Sequence, residues 1–502
     1  MMIERVTRRA CRLIADVRPG ETPMAALLAL NAFLLLMAYS CIKPVREALI
    51  LTHAGGAEYK AYMAGATALI LLVAVPLYSR ASRGLARNRL VAGTTVFFAA
   101  HLLTFYIAGL SMGSTLSFGL AFYLWIAVFN MMIVTQFWAY ASDVYPEEAG
   151  RRLFPLLGFG ASLGAVAGAA LARPLIAQLG TLAMMPLGAG LLIAAAGVAQ
   201  WVHAHDVRHA ATAGLKAAAT SAVGGHTGEA FHAVITNRYL LYIAAFSLLF
   251  TLVKTNGDYM MARAVEDAAN KAVAAGTLQP SQVQNYIGGV FATFTFWIDI
   301  VSLALQGLAV SRVVTYLGFG AGFYALPIVA LGDAALMSMW PVLTVVRIGK
   351  TAESAVDYSL NNTMRHMLWL PTARRAKYLA KQATDTIFVR AGDIASAAMI
   401  FAAGRLGLPP RAVPAGNLCL IGVWFTLAAA ILRERRRLLE PSARAHREAS
   451  RRGIDWARRT GLIAALRKRG KADGERAPFA RPALDGDRPL MTIDDPLREG
   501  ES

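Results

Sequence analysis

The stretch MAALLALNAFLLLMAYSCIKPVREALI, residues 24–50, opens with an uncharged, mostly apolar run that reaches Ile42 and closes on Lys43, Arg46 and Glu47. A helix needs about 20 apolar residues to cross the roughly 30 Å hydrocarbon core of a bilayer, and this run supplies them. An ionisable group inside such a helix costs about 2.5–3.5 kcal/mol on insertion scales, so it belongs on a bundle interior or a water-filled path. The pattern recurs further along, where Lys254 and Asp258 again stand four residues apart in an apolar stretch. Both places imply a membrane protein with charge turned toward an internal path.

The rest of the chain agrees. It has 502 residues, 56% hydrophobic and 16% charged, and its mean hydropathy is positive, outside the range of a soluble domain. Apolar windows place spans near 23–42, 60–78, 90–110, 117–140, 155–177 and 181–203, then 239–257, 286–310, 312–332, 335–352, 383–404 and 414–433. Only Gly332 and Asp333 separate the third and fourth of the second set. The expectation is an all-α membrane protein of about twelve transmembrane helices in two six-helix halves, 23–203 and 238–433. Residues 1–22 form a basic arm, 204–237 a linker, and 434–502 a basic, partly disordered tail.

Arginine distribution sets the expected topology. Arg5, Arg8, Arg9, Arg12 and Arg18 precede the first span, Arg80, Arg83, Arg87 and Arg89 fill the second connection, and Arg151 and Arg152 open the fifth. The Arg374, Arg375 and Lys377 loop and the tail from Arg433 fall on the same side, so both termini are expected in the cytoplasm, at a bacterial inner membrane. The net charge of +19 then reads as topology and as affinity of the tail for anionic lipid, with no specific nucleic-acid partner expected. From Ile454 to Arg469 the tail reads either as a basic helix on the membrane surface or as disorder. No metal or cofactor is expected: the linker histidines His203, His205, His209, His226 and His232 lack ligand spacing and acidic partners, and Cys11, Cys41 and Cys419 form no disulfide framework. No catalytic triad is visible, so an enzyme is not expected.

Residues four apart share a helix face, so Lys43 with Glu47 and Lys254 with Asp258 are expected to neutralise each other while the path is empty. An anion would compete with those carboxylates for the cations. Arg46 adds a planar fork suited to phosphate or carboxylate, and Pro44 removes a backbone donor beside it. The competing reading is that Lys43 and Lys254 reach back to an interface or make packing ion pairs. Tyr123, Trp138 and Tyr140 are candidates for stacking on a base, although interface anchoring is the commoner role of membrane aromatics. Gly160, Gly164 and Gly168 repeat at the spacing that lets helices approach closely. Gly349-Lys350-Thr351 ends like a phosphate loop but lacks the glycine that position 344 would need, and no strand precedes it. Asn361-Asn362-Thr363 is a glycosylation sequon by pattern only, on the expected cytoplasmic side.

At this point the residues resemble a family. Tyr39-Ser40-Cys41-Ile42-Lys43-Pro44-Val45-Arg46-Glu47 resembles the first-helix motif of the ATP/ADP translocases of plastids and obligate intracellular bacteria. Phe137-Trp138-Ala139-Tyr140-Ala141-Ser142-Asp143 and Arg152-Leu153-Phe154-Pro155-Leu156-Leu157-Gly158-Phe159-Gly160 are similar to two further motifs of that family. So are Asp357-Tyr358-Ser359-Leu360 and Lys381-Gln382-Ala383-Thr384-Asp385, with Arg390 five residues on. The resemblance implies a major-facilitator-like carrier that exchanges nucleotides. It implies Lys43, Arg46, Lys254, Lys381 and Arg390 as phosphate partners, and Glu47, Asp258 and Asp385 complete the candidate set. The expected function is antiport of nucleotides or a related organic anion. A proton-coupled symporter using Glu47 or Asp258 and a membrane sensor or scaffold are the alternatives.

Overall fold

Inside an apolar run a peptide group finds hydrogen-bond partners only along its own chain, so such runs fold as helices. The computed structural model describes residues 17–18, 21–81, 87–145, 147–213, 227–372, 380–381, 383–409 and 411–459. The first half contains α1 (Thr22–Leu51), α2 (Gly56–Ala81), α3 (Arg87–Met112), α4 (Leu116–Val144), α5 (Glu147–Leu179) and α6 (Met184–Ala213). The second contains α7 (Arg238–Ala274), α8 (Val283–Leu308), α9 (Gly318–Met339), α10 (Leu343–Val356), α11 (Val389–Arg405) and α12 (Ala412–Arg459). A π-helical turn over Asp357–Asn361 carries α10 on into Asn362–Leu368. Eleven helices among the described residues are long and apolar enough to cross a membrane. The exception is α10, whose Arg347, Lys350 and Glu353 spoil its hydropathy but suit a helix that faces a charged interior.

One expected boundary moves. The break between the ninth and tenth helices falls at Trp340-Pro341 and not at Gly332-Asp333, because Pro341 lacks the amide that would continue the helix, whereas Asp333 is buried within α9. The expected linker 204–237 is in part helical: α6 runs to Ala213 and a short helix covers Thr227–Thr236. The tail expected from 434 begins as helix and continues so to Arg459. The arm up to residue 16, the linker centre 214–226, the Arg374, Arg375 and Lys377 loop, and the tail from residue 460 lie outside the described residues.

Three apolar clusters organise the bundle. One joins α1, α3, α4, α5 and α6, with Phe122, Phe129 and Leu102 at its centre. A second joins α7, α9, α10 and α12 around Phe246, Phe323 and Trp424. The third lies between the halves, where Ala48, Leu51 and Ala57 meet Tyr259, Val265, Ile287 and Phe291. It sits where α1 and α7 end, so the halves are sealed at that end. Beside the seal, Glu266 accepts the backbone N–H groups of Gly55 (3.0 Å) and Ala57 (3.1 Å), and Asn285 accepts from the Thr181 amide at 2.9 Å. At the opposite end Arg152 donates to both oxygens of Glu21, at 2.8 and 3.1 Å, and holds that carboxyl below the usual carboxylate range.

Close approach of α1 and α5 depends on the glycine repeat. A Cβ on Gly160, Gly164 or Gly168 would stand 2.6, 2.1 or 2.4 Å from the carbonyl oxygens of Ala29, Phe33 and Met37. Both rows step by four, so the two backbones run in contact along more than two turns. Gly164→Ala is expected to destabilise the protein by about 1–3 kcal/mol by forcing the helices apart. Gly190→Ala, at a helical glycine with open space around it, should leave the melting temperature in detergent level or slightly raised. Equal melting of the two variants would contradict this packing.

Candidate functional site

A cavity of about 270 Å³ lies between the halves on the open side of the seal, lined by α1, α2, α4, α7, α8, α11 and the Ser354–Tyr358 part of α10. From α1 come Tyr39, Lys43, Arg46 and Glu47, which helical spacing places along one stripe. From α7 come Lys254, Thr255 and Asp258; Lys60, Tyr123, Arg390 and Asp393 complete the polar wall. Seven residues expected at a binding site thus meet here: Lys43, Arg46, Glu47, Lys254, Asp258, Arg390 and Tyr123.

Their pairing differs from the expectation. Glu47 does not neutralise Lys43; it accepts from its neighbour Arg46 and from Lys60 of α2, the latter at 2.8 Å. Lys254 does not neutralise Asp258; it donates to Asp357 of the π turn at 2.6 Å, while Asp258 faces Lys350 of α10 at 3.3 Å. These pairs form between helices, where side chains from facing surfaces meet. Arg390 pairs with Asp393 at 3.3 Å, and Asp393 also accepts from Thr255 at 2.9 Å. Lys43 alone among the lining cations makes no ion pair among the described residues, although Asp299 of α8 lies within electrostatic reach. Aromatic faces support the others: the Arg46 guanidinium lies 4.6 Å from the Tyr123 ring centre and the Lys254 ammonium 4.8 Å from that of Tyr358.

Four candidates lie elsewhere. Trp138 is partly exposed and packs edge-on against Phe137 and Phe154. Tyr140 is buried, and its hydroxyl donates to the Ala199 carbonyl at 3.3 Å, so neither ring meets the cavity. Asp385 is exposed beside Arg365, and Lys381 is likewise absent from the lining.

No family model matches the chain. Curated proteins do. It is 23% identical to an "ADP,ATP carrier protein 1" of Chlamydia muridarum over 64% of this chain and 67% of the carrier, and 22% identical to that of Chlamydia trachomatis over 60% and 62%. The chain thus spans about two thirds of the length of these relatives. Among solved structures, the nucleoside transporter NupG superposes with a TM-score of 0.58 at 12% identity, covering 82% of this chain and 99% of NupG. A POT family peptide transporter gives 0.55 at 10% identity, over 83% of this chain and 97% of that one. The chain is a transporter of the major-facilitator fold, distantly related to these carriers. It is a secondary, multi-pass membrane transporter.

Several groups of this transporter escape a reading by local pattern. Lys60 sits in a weakly apolar helix start, and Asp357 shows its role only once α10 faces α7. The same holds for the lock at the sealed end, where Glu58 of α2 accepts from the Tyr259 hydroxyl at 2.9 Å and from Arg263 at 2.8 Å, both on α7. Alternating access requires this contact to break as the cavity opens to the other side. Both charged partners are partly solvated, so the lock contributes about 1 kcal/mol. Glu58→Gln is therefore expected to raise the share of molecules open at the sealed end roughly fivefold. A cysteine placed at Ala64 on the cavity wall should then be labelled faster from that side; an unchanged labelling rate would remove Glu58 from the lock.

Proposed function

We propose that this transporter exchanges a nucleotide of the ATP/ADP kind, or a related organic anion, across the membrane by alternating access. The observation that carries the reading is a surplus of cations on the cavity wall: Lys43 makes no ion pair among the described residues, and Arg46 and Lys60 share the one carboxylate of Glu47, while Lys254 and Arg390 each have their own. An incoming phosphate takes Lys43 first. Arg46, Lys60 and Lys254 then turn toward it from Glu47 and Asp357, and Tyr123, whose ring already lies against Arg46, offers a face to a base. The carrier names of the curated relatives support a nucleotide as cargo. Lys381 and Asp385 lie off the cavity wall.

Exchange follows from the electrostatics. An empty carrier must take the unbalanced Lys43 charge through a closed, low-dielectric state, which is unfavourable; a bound anion removes that barrier. Reorientation is then fast when loaded and slow when empty. The arginine distribution supports a bacterial plasma membrane with both termini in the cytoplasm, and the basic tail supports attraction to anionic lipid.

Proteoliposomes preloaded with unlabelled ATP are expected to take up labelled ATP faster than empty ones; equal uptake would refute exchange. Lys43→Ala should lower the exchange rate about tenfold to a hundredfold, the worth of a charge-assisted hydrogen bond, while Lys43→Arg retains part of it.

A further inference from the structure

Behind the cavity wall, Lys350 of α10 is fully buried. Its ammonium lies 2.7 Å from Glu353, 3.3 Å from Asp258 and 3.1 Å from the carbonyl oxygen of Lys254. A third carboxyl completes the group. Asp333 of α9 is only 5% exposed, lies within hydrogen-bonding reach of Glu353, and has an Oδ1 that meets no donor. Two glycines make the room: a Cβ on Gly349 would stand 1.9 Å from Asp333 Oδ1, and one on Gly257 2.7 Å from Lys350 Nζ. The place is built for these side chains.

One lysine cannot balance three carboxylates, and two of them, Asp333 and Glu353, are buried, where an unpaired anion is costly. Nor can two carboxylates hydrogen-bond to each other, since each only accepts; the contact between Asp333 and Glu353 needs a proton between them. Asp258 ties this group to the path, because it lines the cavity on one side and faces Lys350 on the other. From the cavity side it also feels Lys60 and Lys254.

We propose that Asp333 and Glu353 form a proton-binding site, linked through Lys350 and Asp258 to the cavity so that entry of an anion is accompanied by proton uptake. This deepens the reading of the cavity as an anion site and rests on it. The direction follows from the charges. An anion that engages Lys60 and Lys254, which pair with Glu47 and Asp357, offsets the longer-range attraction they exert on Asp258, which then depends more on Lys350. Lys350 then has less charge to spare for Glu353 and Asp333, and the pair takes a further proton from water. By reciprocity, protonating the pair frees Lys350 for Asp258 and leaves the cavity cations to the anion.

Two measurements test it. Infrared spectra of the purified protein at neutral pH should show the deuterium-sensitive carbonyl stretch of a protonated carboxylic acid, lost in both Asp333→Asn and Glu353→Gln but kept in Asp393→Asn. A wild-type protein without that band, or a band that survives both substitutions, would overturn the proton site. Asn copies the shape of the neutral acid, so Asp333→Asn is expected to fold. Titration calorimetry with ATP in two buffers of different ionisation enthalpy should show net proton uptake, and ATP affinity should rise by up to about tenfold per pH unit lowered where one proton is coupled. The Asp333→Asn, Glu353→Gln double variant should bind ATP with neither effect. ATP binding without proton uptake in the wild type would overturn the coupling. Absence of any binding heat would count against the nucleotide reading and against the coupling, and the infrared band would still decide the proton site.

Discussion

The constraint on which the bundle depends is charge balance in a place water reaches poorly. Lys254 finds Asp357, Glu47 finds Lys60, and Asp258 finds Lys350, each on another helix. A lone charge there would cost several kcal/mol, and a cross-helix pair with good geometry offsets most of that cost while fixing how the helices rotate about their axes. The pairs therefore do for the charged centre what the glycine contact of α1 and α5 does for the apolar wall. They set which faces meet.

The same pairs divide the molecule by mobility. Each half has its own apolar core, and the cluster between them lies at one end only. Packed cores resist deformation, whereas the interface between halves is held by a smaller patch, by Glu58 with Tyr259 and Arg263, and by Glu266 on the Gly55 and Ala57 amides. Rocking of one half against the other breaks the second kind of contact and leaves the first intact.

Much of this is legible in the sequence because it is local. Apolar runs show the spans, and the step of four in Gly160, Gly164 and Gly168 shows a close helix contact. The echo of Lys43 and Glu47 in Lys254 and Asp258 shows which two helices face the path. What local pattern misreads is partnership. Spacing on one helix offers Glu47 to Lys43 and Asp258 to Lys254, but the true partners are Lys60 and Lys350, 13 and 92 positions along the chain, brought in only by packing. The same gap hides Lys350, which in sequence resembles a failed phosphate loop, and takes Trp138 and Tyr140 for path residues when one packs on Phe154 and the other on the Ala199 carbonyl. The boundary at Trp340-Pro341 is open to a local reading: a proline outranks a glycine as a helix stop, even where an aspartate follows the glycine.

The two halves leave opposite charges unbalanced. On the first side Glu47 is shared by Arg46 and Lys60 while Lys43 makes no ion pair among the described residues, so the surplus is positive and lies on the cavity wall. On the second, Lys350 stands among Asp258, Glu353 and Asp333, so the surplus is negative and lies behind α7. Were both at the wall, they would cancel and an anion would gain nothing by entering. Burying the negative surplus behind α7 leaves the path attractive to anions, and Asp258 belongs to both sides.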